Sequence, residues 1–231
     1  MAHPLLFTDP KKIARLTGYL YLLVIAFGIF AEFFVRSSLL VPGDPHGTAM
    51  NLRDDEALFR IGLAGDMLVF SIDIVLCITF YILLKPVNKN LSLLAASFHL
   101  IEAGILGINM LAHYAVLEIL GGEAYLNVFS REQLEVFAYL SLQLHGAGYG
   151  LGLIFFGFSL VIMGYLFYLS SFIPKVLSLL IIPAGLVYLV TSFAAILFPG
   201  MSGGLTPLFV IPFIAELSLA LWLCIKGIRI P

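Results

Sequence analysis

A chain of 231 residues that is 61% hydrophobic and only 11% charged cannot cover a water-facing surface with polar groups, since soluble domains carry about a quarter charged residues. A net charge of -2 offers no basic face to nucleic acid. The two cysteines, Cys77 and Cys224, lie in apolar runs with neither disulfide nor metal spacing, and read as small apolar residues.

A membrane-spanning helix needs about 20 apolar residues, and six stretches qualify: 16–35, 58–84, 91–118, 139–169, 176–198 and 207–226. Lys11, Lys12 and Arg15 precede the first, which is as long as a full span and has no small-residue cleavage site before Glu32. It reads as a retained helix, not a cleaved signal. The segment from Arg36 to Ala57 is the longest polar one, with Pro42-Gly43-Asp44-Pro45 as a turn cluster. Asn90-Leu91-Ser92 matches a glycosylation sequon, but it falls in a loop expected inside the cell.

Ser130 with Gln133 three residues on forms a capping-box pattern. Arg131, Glu132 and Glu135 follow it, so the fourth helix is expected to begin outside the bilayer. Gly146, Gly148, Gly150 and Gly152 give small-xxx-small spacings that permit close helix approach. Pro183 and Pro212 are expected to kink the fifth and sixth spans. Gly200-Met201-Ser202-Gly203 matches the G-x-S-G of rhomboid-type proteases. Every histidine precedes Ser202, however, and Pro199 and Pro207 flank the stretch, so turn chemistry accounts for it.

Of twelve basic residues, eight (Lys11, Lys12, Arg15, Lys85, Lys89, Lys175, Lys226 and Arg229) fall on alternate connections and both ends. The positive-inside rule puts that side in the cytoplasm. The expected fold is therefore all-α: a single transmembrane domain over 1–231, a polytopic six-helix bundle with both termini inside.

Several runs are similar to one known family: Gly18-Tyr19-Leu20-Tyr21-Leu22-Leu23, Leu58-Phe59-Arg60, Leu83-Leu84-Lys85-Pro86-Val87-Asn88, His145-Gly146 through Phe155-Phe156-Gly157, and Ala215-Glu216-Leu217-Ser218 with Leu221-Trp222. The chain resembles the bacterial integral-membrane domain-of-unknown-function family 4386 over nearly its whole length. The resemblance implies a multi-pass protein of the bacterial inner (plasma) membrane and brings no activity, cofactor or site residue.

Ionisable groups at mid-bilayer cost about 2.5–3.5 kcal/mol each on insertion scales, so acids inside spans must be protonated, paired or facing a wet cavity. At 1.5 Å per residue, Glu32 lies about 5 Å, His113 about 8 Å, Asp66 about 12 Å and Glu216 about 13 Å below the outer boundary, with His145 in the same layer and Asn109 one turn below His113. Asp73, His99 and Glu102 form a deeper set. On the third span His99, Glu102, Asn109 and His113 fall within an arc of about 80°.

Two histidines with carboxylates suit zinc, iron or manganese. Asp66, His113, His145 and Glu216 are the candidate ligands, with Glu32 and Asn109 behind them. His113 and His145 also suit bis-histidine haem. The acids suit a proton- or cation-coupled transporter, with histidines as relays. Structural glue in an accessory or scaffold protein explains the same residues. The partner common to all readings is the lipid bilayer; a homo-oligomer or membrane partner is left open, and so is the choice among the readings.

Overall fold

The structure, a computed structural model, describes residues 9–198, 200 and 202–228; Pro199, Met201 and Arg229, singled out above, lie outside them, and of Ser202 only the backbone is described. Among the described residues the chain is helical and contains no strand. Six helices are long and apolar enough to cross a membrane. Helices are the form such a sequence must take in lipid, where no water satisfies a bare amide.

Helix α1 (Pro10–Ile29) runs into a π-helical turn, Phe30–Arg36, and ends with Ser37–Leu39. A short helix α2 (Pro45–Asp54) follows, capped by Asp44, whose Oδ1 accepts from the Gly47 amide at 2.9 Å, with Pro45 in its first turn. The long helices α3 (Glu56–Leu84), α4 (Lys89–Leu120), α5 (Arg131–Leu169) and α6 (Lys175–Leu197) come next. The 3-10 turn Thr206–Phe209 then leads into α7 (Val210–Ile225). The capping box at α5 is formed: the Ser130 amide donates to Gln133 Oε1 at 2.8 Å and the Gln133 amide to Ser130 Oγ at 3.3 Å.

The chain divides into two compact units. The larger comprises residues up to Ile25, Ile72–Ala103 and everything from Gly150 on; the smaller comprises Ala26–Ser71 and Gly104–Tyr149.

The larger unit has an apolar core built around Ile13, Leu76, Leu84, Phe167, Ile181 and Leu219. Its helices cross closely where glycine removes the side chain. A Cβ on Gly18 of α1 would stand 2.6 Å from the Cys224 amide nitrogen of α7. A Cβ on Gly185 of α6 would stand 2.7 Å from the Gly157 carbonyl oxygen of α5. By contrast, a Cβ on Gly146 or Gly150 would meet nothing within 4 Å. Within that glycine-rich stretch of α5 it is Gly148 that makes the close approach, since a Cβ there would overlap the Asn109 side chain of α4.

The smaller unit packs Val35, Leu39, Leu52, Phe59, Val116 and Ala138 into its own core. Large apolar side chains remain exposed, among them Phe33, Ile108 and Leu111 at 68%, 71% and 69%, as expected of faces turned to lipid rather than water.

Candidate functional site

Three of the candidate ligands meet in the smaller unit. Asp66 of α3, His113 of α4 and His145 of α5 are all buried, and each offers a ligand atom within 4.8 Å of the others. The two imidazoles lie nearly parallel, with centroids 3.5 Å apart and planes 10° apart. Phe59 packs edge-on against His113 at 5.3 Å.

The groups behind this trio hold it in place. The Asn109 side-chain amide donates to the His145 carbonyl at 2.8 Å and lies 3.2 Å from His145 Nδ1, which is itself 3.4 Å from the Asn109 carbonyl. Gly148 makes room for this contact, since a Cβ there would overlap the Asn109 side chain. Arg36 donates to Asp66 Oδ2 at 2.8 Å and through Nε to Glu32 at 2.8 Å. Both residues expected behind the ligands are thus connected to them, Asn109 directly and Glu32 through Arg36. In contrast, His113 Nδ1 is buried with no hydrogen-bond partner among the described residues, which ordinarily costs about 1–3 kcal/mol.

Arg36 was legible only as one more positive charge near a span end. It enters the site because the π-helical turn adds a residue to the last winding of α1, where Ser37 Oγ donates to the Glu32 carbonyl at 2.8 Å. π-Helical turns gather at functional positions.

Glu216 does not join the trio. It belongs to the larger unit, where Tyr21 of α1 and Tyr188 of α6 each donate to one of its carboxylate oxygens at 2.7 Å. Depth counting assumed a regular helix from residue 207, whereas residues 206–209 wind as a 3-10 turn and the α-helix starts at Val210. The same unit holds Asp73, His99 and Glu102, all buried. His99 Nε2 lies 3.9 Å from Asp73 Oδ1 and 4.0 Å from Glu102 Oε2.

A further ionic centre of the smaller unit went unread. Glu135, one of the three charges at the start of the fourth span's helix, is buried and accepts from Arg53 at 2.8 Å and Arg131 at 3.1 Å, with His46 Nδ1 at 2.8 Å. It ties α2 to the first turn of α5. The signal lay in Arg53 and His46, both on a segment read as turn and loop.

The sequence profile of the family described as Domain of unknown function (DUF4386) matches residues 16–227. The chain belongs to that family. The matched stretch takes in both polar sets. An uncharacterized protein of Archaeoglobus fulgidus is 27% identical over 171 residues, which cover 71% of this chain and 83% of that protein. No solved structure matches the chain.

Proposed function

We propose that this protein spans the bacterial inner membrane with both ends in the cytoplasm, and that it binds a divalent transition metal ion through Asp66, His113 and His145. The observation that carries the metal reading is the convergence of three buried ligand atoms of mixed nitrogen and oxygen type within 4.8 Å. Orientation rests on the basic residues of alternate connections.

The surroundings fit such an ion. His113 has a buried nitrogen in want of a partner. His145 has the Asn109 carbonyl beside Nδ1, the kind of acceptor that holds a metal-ligating imidazole by its other nitrogen. Arg36 occupies Oδ2 of Asp66, and among the described residues no hydrogen bond engages Oδ1. The lone pairs of stacked rings lie in parallel planes, so the imidazoles must open for both to reach one ion.

Two histidines and one carboxylate match the donor preference of zinc and leave a coordination position for water or substrate. That open position is the feature metal-assisted hydrolysis uses. Haem fits less well. A bis-histidine haem needs its ligands to approach from opposite faces of the porphyrin, and rings stacked at 3.5 Å leave no space for it between them.

A scaffold without ligand is the second reading, favoured by the local pairing of Asp66 with Arg36 and of Glu216 with two phenols. Elemental analysis of the detergent-purified protein, after zinc loading and desalting, decides between them. The expected result is about one equivalent of metal per chain, lost in a His113→Ala, His145→Ala double variant. A wild-type protein that retains no metal would leave the scaffold reading.

A further inference from the structure

The buried acids of the larger unit do a different job. Asp73 on α3 and Glu102 on α4 have no lysine or arginine as an ion-pair partner among the described residues, and none of that unit's described lysines and arginines is buried. His99 is 97% enclosed, and neither of its ring nitrogens has a hydrogen-bond partner among the described residues; Glu102 Oε2 also has none. The Nε2 atom nonetheless points between two carboxylates, at 3.9 and 4.0 Å. That spacing is just beyond a direct hydrogen bond, and one bridging water or a small ring rotation closes it.

The remaining groups facing this set are weak acids. Tyr21 of α1 and Tyr188 of α6 both hold Glu216 of α7, and Cys77 of α3 donates to the Ala96 carbonyl at 3.1 Å. From α5 the ring of Phe156 packs on His99 at 5.2 Å and adds no charge. A narrow crevice lined by Leu84, Ser92, Tyr81 and Ser159 lies beside His99 and is too tight to admit a water, so the imidazole stays enclosed.

We infer that Asp73, His99 and Glu102 form a proton relay, in which His99 Nε2 takes a proton from one carboxylic acid and passes it to the other carboxylate. In the first step the Glu102 O–H bond breaks and an N–H bond forms, leaving a carboxylate and an imidazolium. In the second the N–H bond breaks and Asp73 becomes the acid. Charge and protons balance at each step, and the reverse sequence is equally allowed. Histidine suits the role because its ring gains and loses a proton near neutral pH in ordinary surroundings, and intramembrane acids with histidines are the parts from which proton relays are built. This relay is independent of the metal reading, since it shares no residue with Asp66, His113 or His145.

The test is time-resolved infrared spectroscopy on the full chain in lipid vesicles after a flash-released proton. The wild-type protein is expected to show two carboxylic C=O bands that respond together, one lost in Asp73→Asn and the other in Glu102→Gln. In His99→Gln at least one band is expected to respond tenfold or more slowly. His46→Gln is expected to leave both bands and their rates unchanged. Absence of the two bands in the wild type, or rates unaltered by both His99→Gln and His99→Asn, would overturn the relay. Because the bands are first read in the unmodified protein, a variant that fails to fold does not remove the test.

Discussion

The smaller unit closes its buried acids with cations, whereas among the described residues the larger unit's buried acids have no lysine or arginine partner. In the smaller one, Arg36 holds Asp66 and Glu32, and Arg53, Arg131 and His46 surround Glu135. In the larger one, two phenols hold Glu216, and among the described residues Asp73 and Glu102 share a distant imidazole as their one ionic neighbour. Its strength comes instead from glycine-permitted helix crossings and an apolar core. The contrast teaches that polar residues in spans are not one class. In one unit an arginine fixes a carboxylate in place, as the proposed metal site requires; in the other weak acids surround an imidazole, as the proposed relay requires.

The largest break in this contrast is expected from Arg36→Met. Asp66 would keep its burial and lose its partner, and breaking a buried pair from one side costs about 3 kcal/mol or more. Chemical unfolding in detergent should report that loss, and zinc should restore part of it, because the ion would replace the missing cation beside Asp66.

Next comes the larger unit's packing. Gly185→Val would drive carbon into the Gly157 carbonyl and the Val161 backbone, both under 3 Å from the new Cβ. Overpacking of this kind costs about 2 kcal/mol. The same unfolding assay should show it, with metal content unchanged. An equal loss of metal in this variant would mean that the substitution disturbs Asp66, His113 and His145 as well.

The smallest effect sharpens the comparison within the site. Asn109→Ala removes the group beside His145 without touching a ligand, and such changes lower metal affinity about tenfold to a hundredfold. Competition with a chelator of known affinity measures it. An unchanged affinity would mean that Asn109 positions the helices and not the imidazole.

The architecture was largely legible because hydropathy reports directly on lipid. The second span, read as 58–84, is the body of Glu56–Leu84, and the fourth, read from 139, is a helix whose true start at Arg131 was marked by Ser130 and Gln133. Helix α2 was missed although Asp44 and Pro45 carry the cap and first-turn signals; its polarity argued for a loop. In the site, the histidine and aspartate side chains could be grouped by depth and face. Arg36 could not, because its direction depends on a π-helical turn that no hydrophobic period announces. Nor could Glu216, whose partners Tyr21 and Tyr188 lie unmarked inside apolar runs.

That turn in Phe30–Arg36 has a consequence for how the family can vary. A π-helical winding accommodates one residue more than an α-helical one, as though a single codon had been slipped into an older helix. Deleting one residue there would let the turn revert to α-helix at no cost in hydrogen-bonding capacity, with the residues beyond it kept on nearly the same face. Relatives whose first span is one residue shorter between Phe30 and Arg36 should therefore be able to keep both the arginine and the aspartate.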